Sequence, residues 1–331
     1  MTTDIPTPRY HPAGPDHALR TAMEELRAGR WHAARDLLAH TGRDWALRTA
    51  RSQVLAAVGA GSDVVAAWRA EEFDSFDAAT MQARVAVVRA FRAHRERRRD
   101  RDRLVHRARL ACWDASRAWE EDPVPYVGLI HLAQIDVRQL QPEHREPPWE
   151  LLLPEGPWNL LREVYQRDPY NREAWHRMMQ VFLARDVPVF DFLRWVTSWA
   201  PQGSDLLVMP LYAYVEDYRR ARDHRPGKGR LLYWSNSNAA DYTDRALRFW
   251  FDFAAPQTRS PLDLNHLAHA VHACGFDEGA EVFAAIGPYV TPAPWQDVTE
   301  GGSGWEETFV RARGHYLQPT SHQPRYTGRP R

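Results

Sequence analysis

The chain has 331 residues, more than one compact core usually needs, with 44% hydrophobic and 26% charged side chains, so two domains or one extended array are expected. Lys plus Arg and Asp plus Glu number 43 each, which excludes a global field drawing the protein onto nucleic acid or a membrane. Cys112 and Cys274 cannot make a disulfide framework, and no apolar run nears the roughly 20 residues of a membrane helix. Met1–Pro15 holds four prolines and no apolar core of the secretory kind, which predicts a flexible lead over 1–16 and, by elimination, a cytoplasmic protein. From there apolar residues recur at three and four, the period of a helix stripe. Leu19, Met23 and Leu26 mark a helix over 17–28; Gly29 punctuates, and Ala34, Leu37 and Leu38 mark the next over 31–40. A second hairpin runs through Val54–Val58, turns at Gly59-Ala60-Gly61, is capped by Ser62 or Asp63 and continues through Val64, Val65 and Trp68. Helices are expected over 77–93 and 104–120.

Gln141–Trp158 holds Pro142, Pro147, Pro148, Pro154 and Pro157, which no continuous helix tolerates. A boundary near 147 therefore separates helical hairpins over 17–146 from a second set over 147–295, resuming at Asn159–Gln166. From 296 onward a loop and a basic, flexible tail are expected. The predicted class is all-α, with stacked antiparallel helical hairpins in two halves. Fourteen tryptophans are expected mainly in helix-packing seams.

Leu264, Leu267, Ala268 and Val271, then Ala280, Ala284, Gly287 and Pro292, stand at the offsets of one helical hairpin, with Gly275 at its turn. This segment resembles a tetratricopeptide repeat, in which small residues let two antiparallel helices approach. It departs from the pattern at Val271, Ala284 and Gly287, and Phe283 comes one place early. A weaker copy begins at Trp175, after Asp168-Pro169-Tyr170-Asn171, and continues through Met178, Met179, Phe182 and Trp195, with Asp191 in place of the small residue. The resemblance implies a superhelix of α/α hairpins and a peptide-binding groove. Its ligand-facing positions correspond to Asn265, His269, His272 and Ala273, and to His176, Gln180, Leu183 and Ala184.

His266, His269 and His272 also raise the question of a metal. Steps of three drift around a helix and no nearby Glu completes a zinc motif, so no metal and no cofactor are expected. Gly59-Ala60-Gly61 lacks the third glycine of a dinucleotide turn, and Gly227-Lys228-Gly229 lacks the spacing of a phosphate loop. The Arg-rich run from Arg92 to Arg109 offers Arg97, Arg98, Arg99, Arg101 and Arg103 as anion-binding candidates. Glu96, Asp100 and Asp102 intersperse it, as on a solvated helix end. Carboxylate groups such as Glu120-Glu121-Asp122 and Asp241/Asp244 are explained by solvation or capping, and Tyr233, Trp234, Phe249, Trp250, Phe251 and Phe253 by a packed core.

The leading expectation is a noncatalytic interaction module that binds a protein or peptide through His176, Gln180, Asn265, His269 and His272. An enzyme with a pocket between the helical halves, lined by His and aromatic residues, is the alternative. A nucleic-acid-associated regulator using Arg92–Arg109 or the tail comes third.

Overall fold

The computed structural model describes residues 7–224, 233–234, 237–299 and 304–317. Among these the protein is all-α, 69% helical, with sixteen α-helices and no strand. Isolated bridges pair Arg9 with Tyr289 and Glu146 with Gly156. None of the described helices is long and apolar enough to cross a membrane. Gly227-Lys228-Gly229 and the tail beyond Leu317 lie outside the described residues. Contacts divide the chain into one unit of Pro12–Ala213 and another of Met1–His11 with Tyr214–Arg331.

The first unit is helical-repeat-like. Helices α1 (His17–Arg27), α2 (His32–Thr41), α3 (Trp45–Gly59), α4 (Val64–Glu71), α5 (Phe76–Arg95) and α6 (Arg101–Ala118) are followed by α7 (Val124–Ala133), α8 (Trp158–Arg167), α9 (Arg172–Ala184) and α10 (Val189–Trp199). Side chains set several starts: Asp16, Asp44, Ser75 and Asn171 each accept a hydrogen bond from the amide three residues on, at α1, α3, α5 and α9. Gly29 and Gly42, both at positive φ, end α1 and α2 where a residue with a Cβ would be strained.

Successive odd-numbered helices pack against one another from α1 to α9, while α2, α4, α6 and α8 each pack against the odd helix that follows. α5 and α6 pack along most of their length, with Ala83, Ala90 and Ala93 buried on one and Ala108, Cys112 and Ala115 on the other. The odd layer also curls on itself, since α3 touches α7 and α9 as well as α5. The proline-rich stretch lies inside this unit. Its Trp149 stands against Trp158, Trp175 and Trp195, at ring distances of 5.6, 6.1 and 6.3 Å, and Trp158 and Trp175 are fully buried in that aromatic seam.

Charges are buried through the odd layer. Arg48 of α3 is 1% exposed. It donates from Nη2 to Asp77 (2.6 Å) and from Nε to Asp122 (3.0 Å), and its guanidinium lies over Trp119. Asp122, expected on a solvated helix end, is instead wholly buried. It also accepts from the Thr80 hydroxyl and from the Val124 amide that opens α7. Further along, Arg84 of α5 makes a bidentate pair with Glu173 of α9, at 2.7 and 3.0 Å. Arg177 donates to the same carboxylate at 3.0 Å, and Asn171 donates to the Thr49 hydroxyl at 3.1 Å. Burial would raise Glu173, but Arg84 and Arg177 outweigh it and hold the carboxyl below its ordinary range.

In the second unit, α11 (Met209–His224) carries the chain in from the first. It is followed by α12 (Ser237–Arg245), α13 (Pro261–Cys274), α14 (Gly279–Ile286), α15 (Trp295–Val298) and α16 (Trp305–Leu317). The α13/α14 hairpin forms, with Ser260 capping α13 and Gly275 in the left-handed region at its end. Its second helix is offset by one residue from the tetratricopeptide pattern. Ala280 and Ala284 face solvent, while Gly279, Val282, Phe283 and Ile286 are buried. The Tyr316 ring lies where a Cβ on Gly279 would meet it at 2.5 Å. Its hydroxyl donates to the Phe276 carbonyl at 2.9 Å, and its ring stacks on Phe283 at 5.3 Å.

Two outcomes follow for urea unfolding. Asp122→Ala strands Arg48 with one partner inside the odd layer and is expected to cost about 3–5 kcal/mol. Asp191→Ala, which removes an exposed pair with Arg194, should leave stability within error. In the second unit Gly279→Leu must displace Tyr316 and is expected to cost about 1–3 kcal/mol. Ala280→Arg should be silent, and a reversed order of that second pair would reinstate the family offset.

Candidate functional site

Helix α7 and the residue after it read Val-Pro-Tyr-Val-Gly-Leu-Ile-His-Leu-Ala-Gln, apolar on nearly every face. His131 and Gln134, three residues apart and so on one side, are the exceptions in its last turns. Gly128 lets α7 lie against α6, where a Cβ would meet the Cys112 sulfur at 2.9 Å. That close seat leaves His131 and Gln134 facing a groove of 480 Å³ between the C-terminal ends of α5, α7 and α9. Val88, Phe91, Ile135 and Ala184 give it an apolar floor.

The half-buried Phe91 and His131 rings lie 3.9 Å apart, centre to centre. Burial, followed by the fields of Arg177, Arg84 and His176, pushes His131 well below its ordinary pKa. The ring is therefore neutral near pH 7, with one donor and one acceptor nitrogen. Gln134 donates to Gln180 of α9 across a long 3.5 Å bond, which ties the groove's one lining carboxamide to that helix. Arg92 and Arg95 on the last turn of α5 complete the rim. Cations there complement the helix dipole, but neither guanidinium has a carboxylate partner among the described residues.

The residues expected from sequence fall in two places. Gln180 stands beside the groove through Gln134. His176, half-buried one turn earlier on α9, stands edge-on to Tyr212 at 5.2 Å. Asn265, His269 and His272 belong to the other unit. Asn265 is wholly buried: its amide donates to the Pro261 carbonyl (2.8 Å) and its oxygen accepts from the Trp295 indole (2.9 Å). His269 stands edge-on between Trp234 and Trp295, at 4.8 and 5.4 Å. His272 is exposed near His315 and Tyr316. Among the described residues no three His, Cys, Asp or Glu side chains are grouped so as to hold a metal ion.

In the Arg-rich run, Arg97 turns the chain at a φ of 52°. Arg98 pairs with Asp100 at 2.8 Å, Arg103 meets the same carboxylate at 3.7 Å, and Arg101 reaches Asp102 at 3.5 Å. Arg99 is exposed. Burial raises both cysteine thiols, Cys112 to about 12. Comparison with protein-family models, with curated proteins and with solved structures finds no match to this chain.

The His269 site generates a pH dependence. Burial, reinforced by His266 and His272, lowers its pKa from 6.5 to about 3. Between those values the unfolded chain takes up a proton that the native ring refuses. Stability is therefore complete above pH 6.5 and falls towards pH 3, by at most about 1.4 kcal/mol per unit from this group. Urea midpoints measured from pH 7.5 to 4.5 should fall less steeply in His269→Phe than in the parent protein. Parallel profiles would show that His269 is not held neutral.

Proposed function

We propose that the protein is a noncatalytic helical-repeat module, tetratricopeptide-like in its stacked hairpins, which binds a peptide segment of a partner protein. The observation that carries this reading is the groove at the ends of α5, α7 and α9. It combines an apolar floor with a neutral imidazole and the carboxamide of Gln134, which Gln180 holds from α9, a set that can receive an apolar side chain while bonding to the backbone beside it. Its volume lies within the roughly 300–1,000 Å³ typical of ligand sites. In the second unit, Asn265 and His269 are packed into their own hairpin, which moves the peptide-binding reading to His131, Gln134 and Gln180. The raised thiols of both cysteines and the Arg48 and Glu173 networks, whose buried charges pair with one another, favour an interaction module over catalysis.

The test is selection of displayed dodecapeptides on the purified chain, followed by calorimetry on the enriched sequences. Gln134→Ala/Gln180→Ala should weaken their binding at least ten-fold with an unchanged melting temperature, and Arg194→Ala, on the exposed side of α10, should not. Selected peptides that bind the double variant as well as the parent would remove the groove as the binding site.

A further inference from the structure

Beyond the presence of a groove, its charge has a sign. Arg92 and Arg95 stand on the rim with no carboxylate partner among the described residues. Behind the floor, Arg84 and Arg177 share the single carboxylate of Glu173, so that buried cluster retains one net positive charge. Its field reaches the groove, since both guanidiniums disfavour a proton on the His131 ring. A low-dielectric wall carrying unbalanced charge of one sign concentrates ligands of the other. The lining residues include Arg92 and Arg95 but no Asp or Glu.

We propose that the groove recognises an acidic peptide segment, in which an apolar side chain seats on Phe91 and Ile135 while flanking Asp or Glu side chains pair with Arg92 and Arg95. This deepens the interaction-module reading and rests on it. Side-chain carboxylates, rather than a chain terminus, are the recognised groups because two cations, one turn apart on α5, line the groove, and a terminus brings only one carboxylate. Arg also suits this role by its fork of donors, which meets a carboxylate two bonds at a time.

A nucleic-acid strand fits the site less well. Glu96, Asp100 and Asp102 follow the rim directly in the chain, and Asp100 already occupies Arg98 and Arg103. A phosphate backbone tracking onward from Arg95 would meet carboxylates.

Fluorescence anisotropy with the full chain decides this, using fluorescein-labelled, C-terminally amidated dodecapeptide pools. Each pool carries a central Leu or Phe, flanked by Asp and Glu, by Ser and Gly, or by Lys. A labelled oligothymidylate serves as the fourth probe. The acidic pool should bind at least ten-fold more tightly than the neutral one, and lose affinity as salt rises. Arg92→Gln/Arg95→Gln should erase that difference while leaving the neutral pool and the melting temperature unchanged. Equal binding of acidic and neutral pools, both weakened by Gln134→Ala/Gln180→Ala, would overturn the charge rule and keep the groove. Binding of no peptide pool would overturn both. Preference for the oligothymidylate, lost in the double Arg variant, would overturn the proposal in favour of nucleic acid.

Discussion

A single carboxylate, Glu173, holds the first unit in its arrangement. It lies at the start of α9, is 5% exposed, and receives Arg84 from α5 and Arg177 from its own helix. Ionised groups at that depth are tolerated only when geometry and extra hydrogen bonds offset lost hydration, so this pairing fixes where α5 and α9 lie along each other. Arg48 acts likewise nearer the helix starts, fastening α3 to α5 through Asp77 and to the entry of α7 through Asp122. Apolar side chains alone would allow the odd helices to slide by a turn at modest cost. A misplaced guanidinium would be left buried without its partner, which raises the energy of every slipped arrangement. The groove depends on that alignment, because Phe91, His131 and Ala184 come from three helices and line one groove only when all three end at one level.

The helical class could be read directly because its signals are local. The stripe of Leu19, Met23 and Leu26, the glycine stops and the side-chain caps need nothing from elsewhere in the chain, and the helices fall close to where they are expected. The α13/α14 hairpin was legible as a hairpin but not in its detail. The spacing of a resemblance puts Ala280 in the seam, while burial follows Phe283, the bulkier residue one place early. Gly279 then becomes the close approach because Tyr316, 37 residues away in sequence, covers it.

The site was less legible for the same reason. A His and a Gln three apart in an otherwise apolar helix are visible in the sequence, and Arg92 and Arg95 belong to a run that stands out. That Phe91 lies against His131, or that Gln180 meets Gln134, depends on contacts across some forty residues that no local pattern encodes. Asn265 shows the converse. Its residue type suits a ligand contact, yet Trp295 and the Pro261 carbonyl consume its hydrogen-bonding capacity. Asp122 likewise reads as a solvated helix end until Arg48 is brought to it.

The curl of the odd layer sets this unit apart from an ordinary linear array. In a solenoid each hairpin touches only its neighbours, so stability is close to a sum of local increments and repeats can be gained or lost singly. Here α3 reaches α9 directly, through Thr49 and Asn171, and α5 reaches it through Arg84. The intervening hairpins are therefore enclosed within a closed circuit of contacts. Removing or duplicating one would separate charged partners that meet across three hairpins, so the unit lacks the free modularity of a linear array. Its hairpin number is expected to be fixed, with length variation confined to the turns.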